Sequence, residues 1–160
     1  MSGIAGLYHT DGRPVNESVL RRLLEAQSHR GLDGTGTQCR TAAALGHLAM
    51  HTTPEACHES QPEVGRDADL VLTADARIDN RDELISELGP ERSGKRPVTD
   101  ADLILRAYRR WGTTCPEHLR GAFAFAIWDA RDHRLLCARD RMGLRPFHYV
   151  WAEPRFVLDR

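Results

Sequence analysis

Ser2-Gly3-Ile4-Ala5-Gly6-Leu7-Tyr8-His9 follows Met1 at the start of the sequence. The weak alternation from Gly3 to His9 is that of a β-strand, closed by an Asp11-Gly12 turn signal. A strand at the very start places the N-terminus inside the fold.

Outward from that strand, the pattern switches repeatedly between periods of about 2 and 3.6 residues. Asn16 can cap a helix in which Val19, Leu20, Leu23 and Leu24 share a face. The glycine-rich run His29-Arg30-Gly31-Leu32-Asp33-Gly34-Thr35-Gly36 is expected to stop it as a loop. Ala42 to Met50 and Leu70 to Ile78 read as strands. Asn80 with Glu83 suggests a capping box for a helix over Arg81 to Leu88. Gly89 to Pro97 reads as a surface loop, after which Thr99 or Asp100 caps a helix striped by Leu103, Ile104, Ala107, Tyr108 and Trp111, with Gly112 at its end. Phe123, Phe125 and Ile127, the bend Asp129 to His133, and Arg134 to Ala138 form a β-hairpin signal, followed by strands at Phe147 to Trp151 and Phe156 to Leu158. Helices interrupting a mainly antiparallel strand pattern predict a single α+β layered domain over residues 1–160.

Composition limits what such a domain can do. The chain has 160 residues, 41% apolar and 28% charged, the balance of a folded domain with its own core. Its 22 basic and 23 acidic side chains give a formal charge of -1, so no global field gathers nucleic acid or an anionic membrane surface. Cys39, Cys57, Cys115 and Cys137 show no paired spacing and no signal peptide precedes them, which points to free thiols and a cytoplasmic setting. No run approaches the roughly 20 apolar residues of a membrane span. The run His47, His51, Cys57, His58 fits no standard zinc spacing, and no metal site is expected. The loop around Gly34 lacks the Lys-Ser/Thr of a phosphate-binding loop.

Eight motifs, in order over most of the chain, carry a resemblance. They are Ser2-Gly3-Ile4-Ala5-Gly6, His29-Arg30-Gly31-Leu32-Asp33-Gly34, Gly46-His47, Gln61-Pro62, Asp79-Asn80 with Glu83-Leu84, Asp100, Gly121 to Ala126, and Arg139 to Pro146. The chain resembles the N-terminal, class II glutamine amidotransferase domain of asparagine synthetases. The resemblance implies the four-layer αββα sandwich of N-terminal nucleophile hydrolases, with the His29 to Gly36 loop packed beside the first strand. It also implies a glutaminase site whose nucleophile is a cysteine freed by removal of Met1, with its own α-amine as base.

Carried over position by position, that site is largely replaced. The nucleophile is Ser2, a weaker nucleophile than a thiol, which is already partly ionised at neutral pH. Ala49 stands where an arginine would hold the glutamine α-carboxylate. Asp75, Ala76 and Arg77 stand where an Asn-Gly-Glu run would supply the oxyanion-hole amide, a backbone N–H and a carboxylate for the substrate ammonium. Asp100, the second ammonium partner, is retained. Asp75 and Arg77, two apart on one strand, are expected to neutralise each other, or Arg77 to reach Asp100, so that the pocket is filled by its own residues. Arg139-Asp140-Arg141 is expected to be an ion-paired turn rather than an anion clamp.

The run from Thr73 to Leu84 is similar to cysteine-less domains of lasso-peptide cyclases and β-lactam synthetases. The expected function is therefore a non-catalytic, structural domain of an ATP-dependent amide-forming enzyme. Mg and ATP belong only to a separate synthetase domain, which is the expected partner; a homodimer is a second possibility. The alternatives are a Ser2-dependent amidohydrolase acting on glutamine or another amide, and a free-standing binding module.

Overall fold

The computed structural model describes residues 2–65, 68–89 and 97–160. The expected loop from Gly89 to Pro97 lies mostly outside the described residues. The elements in order are β1 (Gly3–His9), α1 (Glu17–Ala26), β2 (Gly34–Cys39), β3 (Ala43–Ala49), β4 (Glu63–Val64), β5 (Leu70–Ile78), α2 (Arg81–Leu88), α3 (Asp100–Trp111), β6 (Gly121–Asp129), β7 (Arg134–Arg139), β8 (His148–Ala152) and β9 (Arg155–Asp159).

The strands form two antiparallel sheets, one in the order β2-β3-β1-β9-β8 and one in the order β4-β5-β6-β7. Alternation along each strand sorts side chains to two faces. On β1 and β3, Ile4, Ala43 and Leu45 turn inward and meet Val71, Ala126 and Trp128 of the other sheet, with Leu158 of β9 beside them. The opposite faces take the helices. Leu20 and Leu24 of α1 pack on Ala5, Leu7, Ala44 and Leu48, while Leu84 of α2 and Leu103, Ile104, Ala107 and Tyr108 of α3 pack on Leu70, Leu72, Phe123, Phe125 and Ile127. Helix, sheet, sheet, helix is the α+β four-layer αββα sandwich expected from the resemblance.

Local signals explain most boundaries. The Asn16 side chain accepts from Ser18 N at 2.9 Å and starts α1. Thr99 and Asp102 form a reciprocal capping box that fixes the start of α3. Gly112 ends α3 at φ 58, a conformation natural to glycine. Asn80, by contrast, does not cap α2: its amide donates to the His118 carbonyl at 3.0 Å and its oxygen accepts from Arg120 N at 2.9 Å, while Glu83 faces Arg120 at 3.5 Å. The expected capping box there is a tie between β5 and the segment leading into β6.

The His29 to Gly36 run also differs from expectation. Only its first half is loop, and β2 begins at Gly34. Its Arg30 side chain does lie against β1, where a Cβ at Gly3 would approach Arg30 Cδ to 3.3 Å.

Candidate active-site cleft

Between the sheets, at the N-terminal end of β1, opens a cleft of about 550 Å³. Ser2, Ala49, Asp75, Ala76, Arg77 and Asp100 all line it, so the six positions singled out in the sequence come together in space. β1 pairs with β3 so that Gly3 faces Leu48, which sets Ser2 beside the end of β3. The Ser2 hydroxyl oxygen accepts from Met50 N at 3.2 Å.

Asp75 sits on the inner face of β5, 5% exposed. It forms an ion pair with Arg160 and approaches Arg145 Nη1 at 3.6 Å. Arg160 also donates to the Ser2 carbonyl at 2.6 Å, and its own N–H donates to the Ile4 carbonyl at 3.1 Å. Burial pushes the Asp75 carboxyl up from its ordinary value, against the pull of Arg160 and Arg145. Burial also lowers the Arg160 guanidinium, with Asp75 opposing. One carboxylate and two guanidiniums thus form a buried cluster below the serine.

Arg145 is delivered to the cluster by Asp140, which is 4% exposed. The Asp140 carboxylate accepts from Leu144 N at 2.9 Å, Arg145 N at 3.1 Å and Phe123 N at 3.2 Å. Burial alone would raise its pKa, but these amides together with that of Met142 hold it below the usual carboxylate value. The expected ion-paired turn at Arg139 to Arg141 is therefore a turn wound around one carboxylate by backbone N–H groups.

Arg77 corrects the expected pairing. Its guanidinium pairs with Asp79 at 3.4 Å and its side chain is 72% exposed, so it neutralises neither Asp75 nor Asp100. The cleft is open rather than filled by its own residues. Arg77 stands one position from the end of β5, where its long side chain reaches solvent more cheaply than a buried pair. Asp100, at the start of α3, is engaged by Arg81 and accepts from Ile78 N at 3.2 Å. Burial raises its carboxyl above the ordinary value, the nearby Glu59 adds to this, and Arg81 opposes it.

The sequence reading missed four members of this site. Arg145 and Arg160 are remote from Asp75 along the chain. Thr73, buried on β5, donates from its hydroxyl to the Gly46 carbonyl at 2.9 Å and ties the sheets together. Gln61 accepts from Ala74 N at 2.7 Å, and its carbonyl lies where a Cβ on Gly36 would collide, so this wall closes only over a glycine. Gln61 belongs to the Gln61-Pro62 motif and Gly36 to the glycine-rich run, but the sequence does not reveal their contact.

Comparison with known proteins identifies the family and the fold. The model of the family described as "Glutamine amidotransferase domain" matches residues 1–159. A putative glutamine-hydrolysing asparagine synthetase 2 of Methanocaldococcus jannaschii is 29% identical over 99% of this chain and 34% of its own length. Asparagine synthetase 3 of Bacillus subtilis is 27% identical over 98% of this chain and 26% of its own length. This chain thus spans about a third or less of those relatives. Among solved structures, the glutamine phosphoribosylpyrophosphate amidotransferase of B. subtilis superimposes with a TM-score of 0.77 at 19% identity, over 98% of this chain and 41% of the other. That likeness shows the fold, the N-terminal nucleophile type of αββα sandwich. By the family match over nearly its full length, the chain belongs to the glutamine amidotransferase domain family, in the form carried by asparagine synthetases.

Proposed function

We propose that this domain has lost glutaminase chemistry and serves as the structural N-terminal part of an ATP-dependent amide-forming enzyme. The supporting observation is the Asp75 cluster. Hydrolysis of an amide needs donors aimed at the developing oxyanion, and loss of one such donor costs roughly 2.7 to 4 kcal/mol. Asp75 is an acceptor already paired with two arginines. An ionised carboxylate about 4 Å from an oxyanion would oppose it by about 4 kcal/mol at an effective dielectric near 20. Serine in place of a thiol, and Ala49 where a carboxylate anchor is needed, act in the same direction.

Carboxylate activation then falls to a synthetase-type region, in the same chain or a separate one, and Mg and ATP belong there. The resemblance of the Thr73 to Leu84 run to cysteine-less cyclase domains supports a reaction in which the amine is internal to the substrate and no ammonia is required, as in lasso-peptide or β-lactam ring closure. The free cysteines support a cytoplasmic setting; Cys115 and Cys137, whose pKa values burial pushes up to about 12, stay protonated. No helix among the described residues is long and apolar enough to cross a membrane.

The test is ammonia release from glutamine. The purified protein is expected to stay at background, and Ser2→Cys is expected to stay there too, because the anchor and oxyanion donors are still missing. Turnover that Ser2→Ala abolishes would establish the Ser2 amidohydrolase instead.

A further inference from the structure

Arg139 and Arg141 flank Asp140 in sequence, yet neither pairs with it. The Asp140 carboxylate accepts from the backbone N–H groups of Phe123, Leu144 and Arg145, which leaves both guanidiniums without an anion of the fold. Among the described residues neither side chain forms a hydrogen bond or an ion pair. Both are exposed. Arg139 folds back over its own turn, where a Cβ at Gly143 would stand 3.8 Å from Nη1.

These two guanidiniums line a second pocket, of about 370 Å³, between the segment that enters β6 and the turn after β7. It shares no lining residue with the cleft that holds Ser2. Leu119 and Phe123, both buried, form its base, and the exposed Met142 stands on its wall. Arg120 is the third guanidinium of the lining; it faces Glu83 at 3.5 Å with both side chains mostly exposed, a contact of little energy.

Charge and surface together define the ligand. Guanidiniums without a partner recognise an anion, and their planar forks match a carboxylate. The three guanidiniums share the lining with the carboxylates of Glu117 and Asp140, so the balance admits one further negative charge more readily than the two of a phosphate monoester. A bare anion would leave Leu119, Phe123 and Met142 facing water, whereas a hydrocarbon chain covers them. The volume lies within the range of pockets that take small organic ligands.

We propose that this pocket binds an apolar chain that ends in a carboxylate, with the carboxylate between Arg139 and Arg141 and the chain on Leu119, Phe123 and Met142. The site is separate from the cleft and stands whether or not the cleft is catalytic. The carboxylate belongs either to a small organic acid or to the C-terminus of a peptide.

The sequence has three methionines, and two of them report on the two cavities, Met142 on this pocket and Met50 on the cleft. The whole chain, with carbon-13 in the methionine methyls, is titrated with hexanoate, hexanamide, hexyl phosphate, and a short peptide ending in leucine as free acid and as amide. Saturable movement of Met142 with Met50 unmoved is expected for hexanoate, at least about tenfold tighter than for hexanamide. Arg139→Gln combined with Arg141→Gln is expected to weaken hexanoate by about tenfold or more. If that variant does not fold, the comparison of hexanoate with hexanamide on the wild type decides. The source is a peptide terminus if the free-acid peptide binds tighter than hexanoate and its amide does not; otherwise it is a small acid. No saturable movement of Met142, movement of Met50 in its place, equal binding of hexanamide, tighter binding of hexyl phosphate, or hexanoate binding unchanged in the double variant overturns the proposal.

Discussion

Asp75 and Arg160 form a buried ion pair at the floor of the cleft, joining the inner face of β5 to the end of β9. The same guanidinium nitrogen donates to the Ser2 carbonyl, so the serine backbone is fixed by a residue from the other end of the chain. Removing Asp75 leaves two buried guanidiniums facing each other. Asp75→Asn is expected to destabilise by about 3 to 5 kcal/mol, the usual cost of stranding a buried charge. Arg160→Leu alone leaves Asp75 with Arg145 and costs less. The double variant is expected to be more stable than the sum of the two losses predicts, and urea unfolding of the four proteins measures that coupling. Additive losses would show that the pair is not a unit.

Asp140 holds the turn that carries Arg145. An asparagine there keeps one acceptor oxygen and replaces the other with a donor facing backbone N–H groups. Asp140→Asn is expected to cost roughly 2 to 3 kcal/mol, the scale of charged hydrogen bonds lost from a buried site. The Asp140 carboxyl is held below its ordinary value of 3.8 in the fold. Its contribution is therefore complete above that value and is lost as pH falls through the lower folded one. The wild type should lose stability more steeply than Asp140→Asn below about pH 4. Parallel acid profiles would refute this role.

Much of the fold was legible because period and punctuation agree. β1 and β5 occupy the spans expected for them, Gly3–His9 and Leu70–Ile78, since alternation there is bounded by turn residues; α2 also occupies its expected span, Arg81–Leu88, although Asn80, expected as its cap, ties β5 to the segment before β6 instead. β2 was not legible. Gly34-Thr35-Gly36-Thr37 has no apolar alternation because it is an outer strand with exposed and half-buried residues, and its pairing partner β3 supplies the order. β4, two residues long, has no period at all. In the site, Ser2, Asp75 and Asp100 were found by motif position. The roles of Arg145 and Arg160 were not, because each is set by long-range sheet topology. Arg77 was misread for a related reason: strand parity gives the face a side chain leaves from, while its position near the strand end decides where a long side chain goes.

The neutral imidazole of His47 ties stability to pH in the mildly acidic range. An unfolded histidine protonates near 6.5 and His47 in the fold near 4. The folded pKa is the lower one, so its contribution is complete above 6.5 and is lost as pH falls from there through 4. The difference corresponds to about 3 kcal/mol at 1.36 kcal/mol for each pH unit. Wild type is expected to lose about that much more than His47→Gln between pH 7 and pH 4. Chemical denaturation of both proteins at several pH values checks it, and equal losses would mean that another group carries the acid sensitivity.

Along β8, the edge strand of the five-stranded sheet, Tyr149 and Val150 are each 64% exposed and Trp151 59%, with Leu144 and Met142 exposed nearby. Trp151 and Tyr149 gather on Phe156 of β9, with ring centroids 5.8 and 5.5 Å away. An aromatic surface beside an unpaired strand edge is a face that seeks cover. The occupant we assign is the synthetase-type region, because the relatives that match this chain continue for about two thirds or more of their length beyond the matched part. Contacts between domains typically bury about 600 to 1,500 Å², within reach of this strand and its neighbours. Val150→Glu with Trp151→Ser is therefore expected to leave the domain folded and to weaken its association with a co-expressed synthetase-type region by about tenfold or more. Analytical ultracentrifugation over a range of concentrations, with and without that region, reads the outcome. Association undiminished by the double substitution would place the contact elsewhere, and a β8-dependent homodimer that excludes the synthetase region would assign this face to a second copy of the chain.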